Sequence, residues 1–413
     1  MTDDGIVLRP ITEAEYDRFR DVMSLVFGVD TTEESRTRLR RWLELDRTIA
    51  AFDGDDLVAT GGTLTYRLVV PGGGLVGAGG MTVVSVAPTH RRQGILSRMM
   101  RDQLADSRRR GEPVAILRAS ESAIYGRFGY GCAVHAADLT LDRHRAALRS
   151  DLPESTGRVR LVGTEEARAI FPGVYEAATI ARGVPGSIER RVADWEAYFN
   201  DSESDRDGAS SFRFAVYESG EGEANGYARY RHKPSWGTAG PEGTVLVSDL
   251  QAVDAEALTA LTRFVTAIDL TIRVEFEMMP TEGGVADVLA DPRRLGRSTY
   301  DLLWVRLVDV AAALAARRYR VAGSVVVEVV DELLPEAGGT FRLDAGPGGA
   351  ECLRTDEAAQ VRVSTADLAA SYLGWSRLRS AAWLGRVVGD PGSIGLVDDM
   401  LSWPVPAATS VRF

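Results

Sequence analysis

The residues whose types and spacing most clearly suggest chemistry lie in the run VSVAPTHRRQGILSRMM, which begins at Val84. Its β-branched start predicts the end of a strand, which Pro88 stops, and an amphipathic helix begins near Leu96. A turn with free backbone N–H groups that leads into a helix N-terminus forms a cradle for an anion. Gly94 lets the backbone approach a ligand closely, and the arginines add positive charge for phosphate. The segment Arg91–Leu96 therefore predicts a phosphate-binding loop, with an ordinary basic turn before a helix as the alternative.

This loop carries a family resemblance. The pattern Arg/Gln-x-x-Gly-x-Gly/Ala at a strand–helix junction resembles the pyrophosphate loop of GNAT acyltransferases, which bind acetyl-CoA. Leu96 stands where a small last residue is usual in that pattern. The resemblance implies an acetyl-CoA site in the first part of the chain.

Two phenols follow the next predicted strand, Val114–Arg118, in the glycine-punctuated segment ASESAIYGRFGYG. In the fold that the resemblance implies, this segment lies beside the thioester of the co-substrate. When an amine attacks a thioester, the sulfur leaves as a thiolate unless a donor protonates it, and a phenol with a pKa of about 10 suits that role. Tyr125 is the candidate general acid and Tyr130 is the reserve. The alternative is that both are core tyrosines whose hydroxyls reach the surface.

Periodicity along the first part of the chain predicts the elements that must position these residues. The order is a strand, two helices, an antiparallel meander, and then loop, helix and strand, which is the GNAT order. The predicted elements are a strand at Ile6–Arg9, helices at Glu13–Phe27 and Glu33–Leu45, strands at Thr48–Asp53, Leu57–Val70 and Gly77–Val86, a helix at Leu96–Gly111 and a strand at Val114–Arg118.

The pattern restarts near Arg158 and outlines a second GNAT-like module. Its predicted elements are helices at Thr164–Phe171, Ser187–Phe199 and Asp254–Ile268 and strands at Phe212–Glu218, Ala224–Arg231, Thr244–Ala252 and Thr271–Met278. At the junction that corresponds to the anion loop the sequence is LQAVD, which ends at Asp254. An acidic residue with no glycine is a poor cradle for pyrophosphate, so we expect this copy to be structural.

A third segment begins with a strand at Leu302–Leu307. Its other predicted elements are helices at Val310–Arg317, Thr365–Leu373 and Leu378–Val388 and β runs at Gly323–Val330, Thr340–Asp344, Gly349–Arg354 and Gln360–Ser364. A tail, Asp398–Phe413, follows. Because Trp403 and Phe413 are unfavourable to leave in water, we expect the tail to be packed rather than frayed.

Length and composition limit the class of protein, its ligands and its location. A chain of 413 residues with 45% hydrophobic and 26% charged residues is typical of a soluble protein of two or three domains. A net charge of −11 argues against general nucleic-acid or anionic-membrane binding and is compatible with a cationic substrate.

Cys132, Cys352 and the four histidines lack disulfide or metal-ligand spacing, so no metal is expected. Met1–Asp4 does not begin a signal peptide, and no apolar run is long enough for a transmembrane helix, so we expect a cytoplasmic protein.

Three features together resemble the Eis (enhanced intracellular survival) family of bacterial GNAT N-acetyltransferases. They are VSVAPTHRRQGIL, SESAIYGRFGYG and a chain that ends at Phe413. The resemblance covers the whole length, and it implies an α/β (α+β) fold with tandem GNAT modules and a C-terminal sterol carrier protein-like α+β domain. The corresponding domain boundaries are 1–145, 146–299 and 300–413.

The family resemblance also implies a role for each matching residue. Acetyl-CoA, as co-substrate, is bound by the strand end, the loop and the turn after the next strand, here Val84, Ser85, Val86, Arg91, Arg92, Gln93, Gly94, Ile95, Leu96, Ser97, Ser120 and Glu121. The phenol that matches Tyr125 is the general acid. The C-terminal carboxylate, here on Phe413, is the base and lies in the site of the N-terminal domain. The family's assembly is a hexamer, and its substrates are amines, including aminoglycosides.

A terminal carboxylate needs a special environment to act as a base. A free α-carboxylate has a pKa near 3.5 and is a weak base, but burial near apolar rings would raise that pKa, and one bridging water could relay the proton. The neighbouring Arg412 would pin the carboxylate, hold its pKa down and repel a polycation. The alternatives are a tail used only for packing, with Glu121 or Asp30 as the base.

Substrate contacts are also expected in the first domain. Phe27, Trp42 and Tyr66 could line a pocket, and Asp30 or Glu33 could attract an ammonium group, although residues of these kinds also serve as core or solvated surface. The expected reaction moves an acetyl group to an amine of a small polyamine-like or aminoglycoside-like substrate, or to a lysine side chain. The expected assembly is a homo-hexamer.

Two other classes of function compete with this interpretation. A non-enzymatic lipid or sterol binder would need a continuous apolar tunnel in the last domain, whereas its Gly-rich turns and the polar stretch Arg354–Arg362 indicate a small, closed domain. A regulatory acetyl-CoA sensor would keep the Arg91–Leu96 loop but would need neither Tyr125 nor a buried terminus. Release of free thiol from acetyl-CoA with a panel of amines separates these classes.

Overall fold

The structure, a computed structural model, describes residues 5–153 and 155–413. Met1–Asp4, which entered the expectation of a protein without a signal peptide, lies outside the described residues. The chain forms two compact units. The first contains the chain up to Val134 together with Leu302–Ala407 and Val411–Phe413, and the second contains His135–Asp301 and Ala408–Ser410.

Strands are distributed along the whole described chain. They are β1 (Ile6–Arg9), β2 (Thr48–Asp53), β3 (Asp56–Val69), β4 (Leu75–Val86), β5 (Val114–Leu117), β6 (Gly131–Asp142), β7 (Arg158–Val162), β8 (Arg213–Glu218), β9 (Ala224–Lys233), β10 (Trp236–Gly237), β11 (Gly240–Pro241), β12 (Gly243–Ala252), β13 (Thr271–Pro280), β14 (Leu295–Leu307), β15 (Gly323–Val330), β16 (Gly339–Gly346), β17 (Gly349–Arg354), β18 (Val361–Ser364) and β19 (Val388–Gly389).

Helices alternate with these strands. They are α1 (Tyr16–Phe27), α2 (Glu33–Trp42), α3 (Ile95–Arg109), α4 (Ser122–Tyr125), α5 (Thr164–Tyr175), α6 (Val192–Phe199), α7 (Ala255–Thr266), α8 (Val285–Val288), α9 (Val310–Ala316), α10 (Thr365–Ser371), α11 (Leu378–Trp383) and α12 (Pro391–Leu401). None of these helices, in the part of the chain that the structure describes, is long and apolar enough to cross a membrane.

The first unit is built on a mixed sheet in the order β1-β2-β3-β4-β5-β14. Its strands are antiparallel except for β4 and β5, which run parallel with Ala78 opposite Val114 and Met81 opposite Leu117. Parallel neighbours need a crossover connection, and α3 provides it. The buried face of α3 includes Met99, which packs in a core cluster with β2 and β3.

The C-terminal part of the first unit adds a five-stranded sheet in the order β17-β16-β15-β18-β19, with α9 to α12 around it. Helix α10 packs directly on the chain that follows the two phenols, because Gly131 has no room for a Cβ atom beside the Ala366 carbonyl and the Ala370 backbone. Arg306, which forms a buried ion pair with Asp331, lies directly against Gly129, where a Cβ atom has no room. Both contacts restrict the segment that carries Tyr125 and Tyr130.

The second unit repeats the plan of the first sheet. Its strand order is β6-β13-β12-β9-β8-β7, and β12 and β13 form its parallel pair, joined by α7. The arrangement β12-α7-β13 corresponds to β4-α3-β5. The internal repeat predicted from the sequence is therefore present in the structure.

Most predicted elements are observed with end shifts of a few residues, but three stretches differ. The predicted helix Ser187–Phe199 begins only at Val192, because the Asp194 carboxylate caps the helix by accepting from the Arg191 N–H at 2.8 Å. The predicted helix Leu378–Val388 ends at Trp383, and its last residue is in β19 instead. Helix α12 was not predicted, so part of the expected tail is helical.

The sequence contains a recognisable N-terminal cap for α12. Asp390 accepts from the Ser393 N–H at 2.8 Å, and Pro391 occupies the first helical position. Gly392 and Gly395 weakened the helical pattern, so tertiary packing decides the conformation of this segment.

One buried ion pair ties the start of β5 to the strands before it. The Arg47 guanidinium donates to both carboxylate oxygens of Glu112, at 2.7 and 2.8 Å, and neither side chain is more than 6% exposed. Gly79 on β4 passes directly beside Glu112, where a Cβ atom has no room. The pair therefore sets the position of the two parallel strands that carry the site.

We predict that Arg47→Met lowers the free energy of unfolding of the first unit by about 3–5 kcal/mol, because it leaves the Glu112 carboxylate buried without its partner. Urea unfolding followed by circular dichroism measures the change. Arg149→Met is the matched control, since it breaks an exposed bidentate pair with Asp151 and should leave the midpoint nearly unchanged. Equal midpoint shifts in both variants would contradict this account.

Candidate active site

The strand end at the site is distorted in a way that frees backbone groups. The register between β3 and β4 shifts between Thr60 and Gly62, so that two residues of β4, Val83 and Val84, face one residue of β3. This is a β-bulge, and Val83 has a φ of 48°, which is strained for a β-branched residue. Pairing of β4 with β5 stops at Met81, although β4 continues to Val86. The peptide groups around Val84 are thereby available to a ligand.

The predicted anion loop has the geometry that its sequence indicated. The loop begins with a 3₁₀ turn at Pro88–His90, and Gly94 caps α3 in the left-handed region, with a φ of 79°. Among the described residues no side chain caps the helix, so the N–H groups of its first turn, Ile95 to Ser97, have no capping acceptor. Arg91 to Gly94 are exposed. This loop fits an anionic group such as pyrophosphate.

Several predicted cofactor residues offer their backbone only. The Ser85 hydroxyl is buried and lies 2.7 Å from the hydroxyl of Thr60. The Ile95 side chain is buried in the core cluster, and Leu96 packs against a second cluster. These side chains hold the loop in place.

The two phenols differ in their surroundings. Tyr125 ends α4, is 7% exposed, and has its pKa raised above the ordinary value by burial and secondarily by the Glu121 carboxylate. Tyr130 is fully buried, which also raises the pKa of its phenol, and its hydroxyl has no hydrogen-bond partner among the described residues. The rings meet edge to face, 6.2 Å apart at 74°. Tyr125 is thus the more exposed of the two phenols.

A cavity of about 370 Å³ joins the strand end, the phenol turn and the chain terminus. Its lining residues come from α1 and the turn after it, from β4, from the segment after β5 and from the last residue: Arg20, Met23, Phe27, Val29, Met81, Thr82, Val83, Val84, Arg118, Ser120, Tyr125 and Phe413. The structure therefore brings together both predicted catalytic residues, two predicted cofactor residues and one predicted substrate residue.

The other predicted substrate residues lie elsewhere. Tyr66 is 2% exposed and sits behind the Phe413 ring, with centroids 5.2 Å apart. Asp30 is exposed and Trp42 is half-buried, and neither is among the described residues that line the cavity. Tyr66 supports the position of the terminus, while Asp30 and Trp42 remain unassigned.

The sequence analysis missed two arginines of the cavity, Arg20 and Arg118. Arg20 lies on the apolar stripe of α1, one residue after Phe19 and three before Met23, and a charged residue on such a stripe was the available signal. Arg118 was treated only as the end of a strand.

The corresponding helix of the second unit has a different N-terminus. The Asp254 carboxylate caps α7 and accepts from the Ala257 N–H at 2.7 Å. A carboxylate of the chain itself thus occupies the place where α3 leaves its first turn open. The expectation that this copy is structural remains a prediction, and the cap gives it a physical reason.

Comparison with known proteins agrees with this architecture. Residues 7–133 and 186–307 each match an acetyltransferase (GNAT) domain, and residues 310–408 match a sterol carrier protein domain. An uncharacterized N-acetyltransferase of Streptomyces avermitilis is 43% identical over 388 residues, 94% of this chain and 93% of that protein. N-acetyltransferase Eis of Mycobacterium tuberculosis is 34% identical over 396 residues, 92% of each chain. The crystal structure of Eis1 from Mycobacterium abscessus is similar with a TM-score of 0.83 at 32% identity, covering 99% of this chain and 100% of that one.

The fold, the open loop and these relatives define the class of the protein. It is a GNAT N-acetyltransferase, an enzyme that uses acetyl-CoA as co-substrate. Within that class the chain belongs to the Eis family, and the predicted fold of tandem GNAT modules followed by a sterol carrier protein-like domain is confirmed.

We predict one acetyl-CoA site per chain in titration calorimetry, and at least about tenfold weaker binding in Gly94→Glu. A side chain at a φ of 79° is strained, and the added carboxylate faces the site meant for an anion.

Gly111→Glu is the matched control for this variant. It makes the same change beyond the other end of α3, at a φ of 71° and with equally open space, and should leave the affinity unchanged. Two sites per chain, or unchanged binding in Gly94→Glu, would refute the assignment.

Proposed function

We propose that this cavity is where the acetyl group moves to a primary amine, with Tyr125 as the general acid and the α-carboxylate of Phe413 as the base. One observation carries the proposal: Tyr125 and Phe413 line the same cavity as Val84 and Ser120, two residues expected to bind acetyl-CoA. We also propose the homo-hexamer and cytoplasmic location expected from the sequence.

The chemistry follows from the groups that face the cavity. Bound acetyl-CoA supplies a thioester whose carbonyl carbon is open to attack by an amine. As the C–N bond forms and the C–S bond breaks, the Phe413 carboxylate takes a proton from the amine, directly or through one water. Tyr125 gives its proton to the sulfur. Transfer of the captured proton back to the phenolate, by way of solvent, restores both groups.

The surroundings of the two groups support their roles. The raised pKa of Tyr125 keeps the phenol protonated at neutral pH, so the donor is ready before each turnover. The Phe413 ring packs on Tyr66, whose own ring fits because Gly80 carries no side chain. A packed ring restricts where the attached carboxylate can lie, and restricted placement is what a base requires.

The substrate that accepts the acetyl group is an amine. The classes expected from the sequence are polyamine-like or aminoglycoside-like small molecules and the lysine side chain. A binder of lipid or a sensor of acetyl-CoA would release no thiol, so a thiol-release assay with one member of each amine class tests the proposal as a whole. Absence of turnover with every amine would overturn it.

Tyr125→Phe should lower turnover by about 10²–10⁴-fold and leave the affinity for acetyl-CoA nearly unchanged, because only the transferable proton is lost. Steady-state kinetics and calorimetry measure the two effects. Tyr130→Phe is the matched control, since its hydroxyl is buried and unpartnered, and it should retain turnover. Full activity in Tyr125→Phe together with loss in Tyr130→Phe would identify Tyr130 as the acid.

One added residue after Phe413 should abolish turnover while folding and acetyl-CoA binding persist. The addition replaces the carboxylate by a neutral amide and moves the negative charge by roughly 3.5 Å. The same residue added before Met1 is the control and should have no effect. If the C-terminally extended enzyme acetylates amines at the original rate, the base is another group.

A further inference from the structure

The cavity contains a buried cation that the proposed chemistry does not use. Arg20 is 6% exposed and lines the cavity from α1. Its guanidinium donates to the Ser24 hydroxyl at 2.6 Å and, more weakly, to the Ser35 hydroxyl at 3.4 Å, while its Nε is buried without a hydrogen-bond partner. Within residues 5–153 and 155–413, no carboxylate forms an ion pair with it. Arg20 is therefore held by neutral hydroxyls only.

Burying the Arg20 guanidinium costs free energy unless an anion binds next to it. Removing a guanidinium from water carries a penalty of several kcal/mol that hydroxyl groups repay only in part. The same penalty lowers the pKa of Arg20 from its ordinary value. Buried cations with no structural counter-ion are typical of sites that bind an anionic ligand.

The described side chains that line the cavity include two cations and no anion. Arg118 is the second cationic residue of the lining, and no side-chain carboxylate occurs among the described lining residues. Because no described carboxylate forms an ion pair with Arg20, its charge acts on whatever binds in the cavity. Arg20 attracts a carboxylate and repels a polycation such as a polyamine.

We propose that the acetyl acceptor carries a carboxylate as well as its amine, and that Arg20 is the residue that binds this carboxylate. The inference rests on the proposed function and names its substrate class: a small amino acid, rather than a polyamine or an aminoglycoside. Met23 and Phe27 lie on the same face of α1 as Arg20 and line the cavity too. They offer an apolar surface to the methylene groups between the carboxylate and the amine.

The test uses ω-amino acids, which have one amine and one carboxylate. The acceptors are 4-aminobutyrate and 6-aminohexanoate, each compared with its neutral amide, and spermidine as the polycation. For at least one chain length, kcat/KM of the acid should exceed that of its amide by about tenfold to a hundredfold, as expected for a charge-assisted contact. Spermidine should be a poorer substrate than this acid.

Variants of two arginines on α1 locate the effect. Arg20→Met should lower kcat/KM for the acid to the value of the amide and leave the amide almost unchanged. Arg18→Met is the matched control, because Arg18 is exposed and lies two residues earlier on the same helix, and it should alter neither acceptor. The acid–amide ratio of the unaltered enzyme decides the proposal even if Arg20→Met fails to fold.

Three outcomes would overturn the inference. The first is a preference of the unaltered enzyme for amides or spermidine at every chain length tested. The second is an equal loss of kcat for acid and amide in Arg20→Met, which would show that Arg20 positions the Phe413 carboxylate. If no amine releases thiol, the proposed function fails, and calorimetry of acid and amide binding to the protein saturated with CoA decides the inference: equal affinities would refute it.

Discussion

The site depends on backbone N–H groups that neither sheet nor helix uses. The bulge at Val83 interrupts the β3–β4 ladder, and Gly94 starts α3 without a side-chain cap. Unpaired peptide groups are unfavourable in a closed interior but form a ready binding surface at an open one. The rest of the first unit serves to keep them open. The buried pair Arg47–Glu112 holds the parallel strands, and the core cluster around Ile95 holds the helix.

In the second unit the start of the corresponding helix is capped by a side chain. The unit has the same strand order and the same crossover helix, but the Asp254 carboxylate accepts from the Ala257 N–H at the start of α7. A carboxylate at this position satisfies one N–H of the helix start and adds negative charge there, which disfavours a bound anion. The fold of the repeat is compatible with the predicted structural role, because the core positions of the sheet and the positions of the loop are different residues.

Sequence alone predicted the parts of the structure that local rules control. The anion loop was recognisable because glycine at a positive φ and a helix N-terminus have a local signature. The cavity was less predictable, since its walls come from segments far apart in the chain. Phe27 and Phe413, which the sequence singled out, line the cavity. Arg20 and Arg118 line it too, but the sequence did not single them out, because their position depends on which apolar neighbours bury them.

Helix ends were also harder to predict than the elements themselves. The start of α6 and the existence of α12 depend on single capping carboxylates and on burial. Hydrophobic periodicity predicts neither a cap nor burial. Tyr66 was expected in the substrate pocket, and the structure places its ring against that of Phe413, a contact between distant segments that periodicity does not show.

A crystal structure of the protein with CoA bound tests the central claim most directly. The account predicts the pyrophosphate on the N–H groups of the Arg91–Ser97 segment, and the sulfur in the cavity within about 3.2 Å, or one bridging water, of the Tyr125 hydroxyl. The Phe413 carboxylate should lie across the cavity, facing the position of an attacking amine. A CoA sulfur remote from Tyr125, or a pyrophosphate bound away from the N-terminus of α3, would contradict the account.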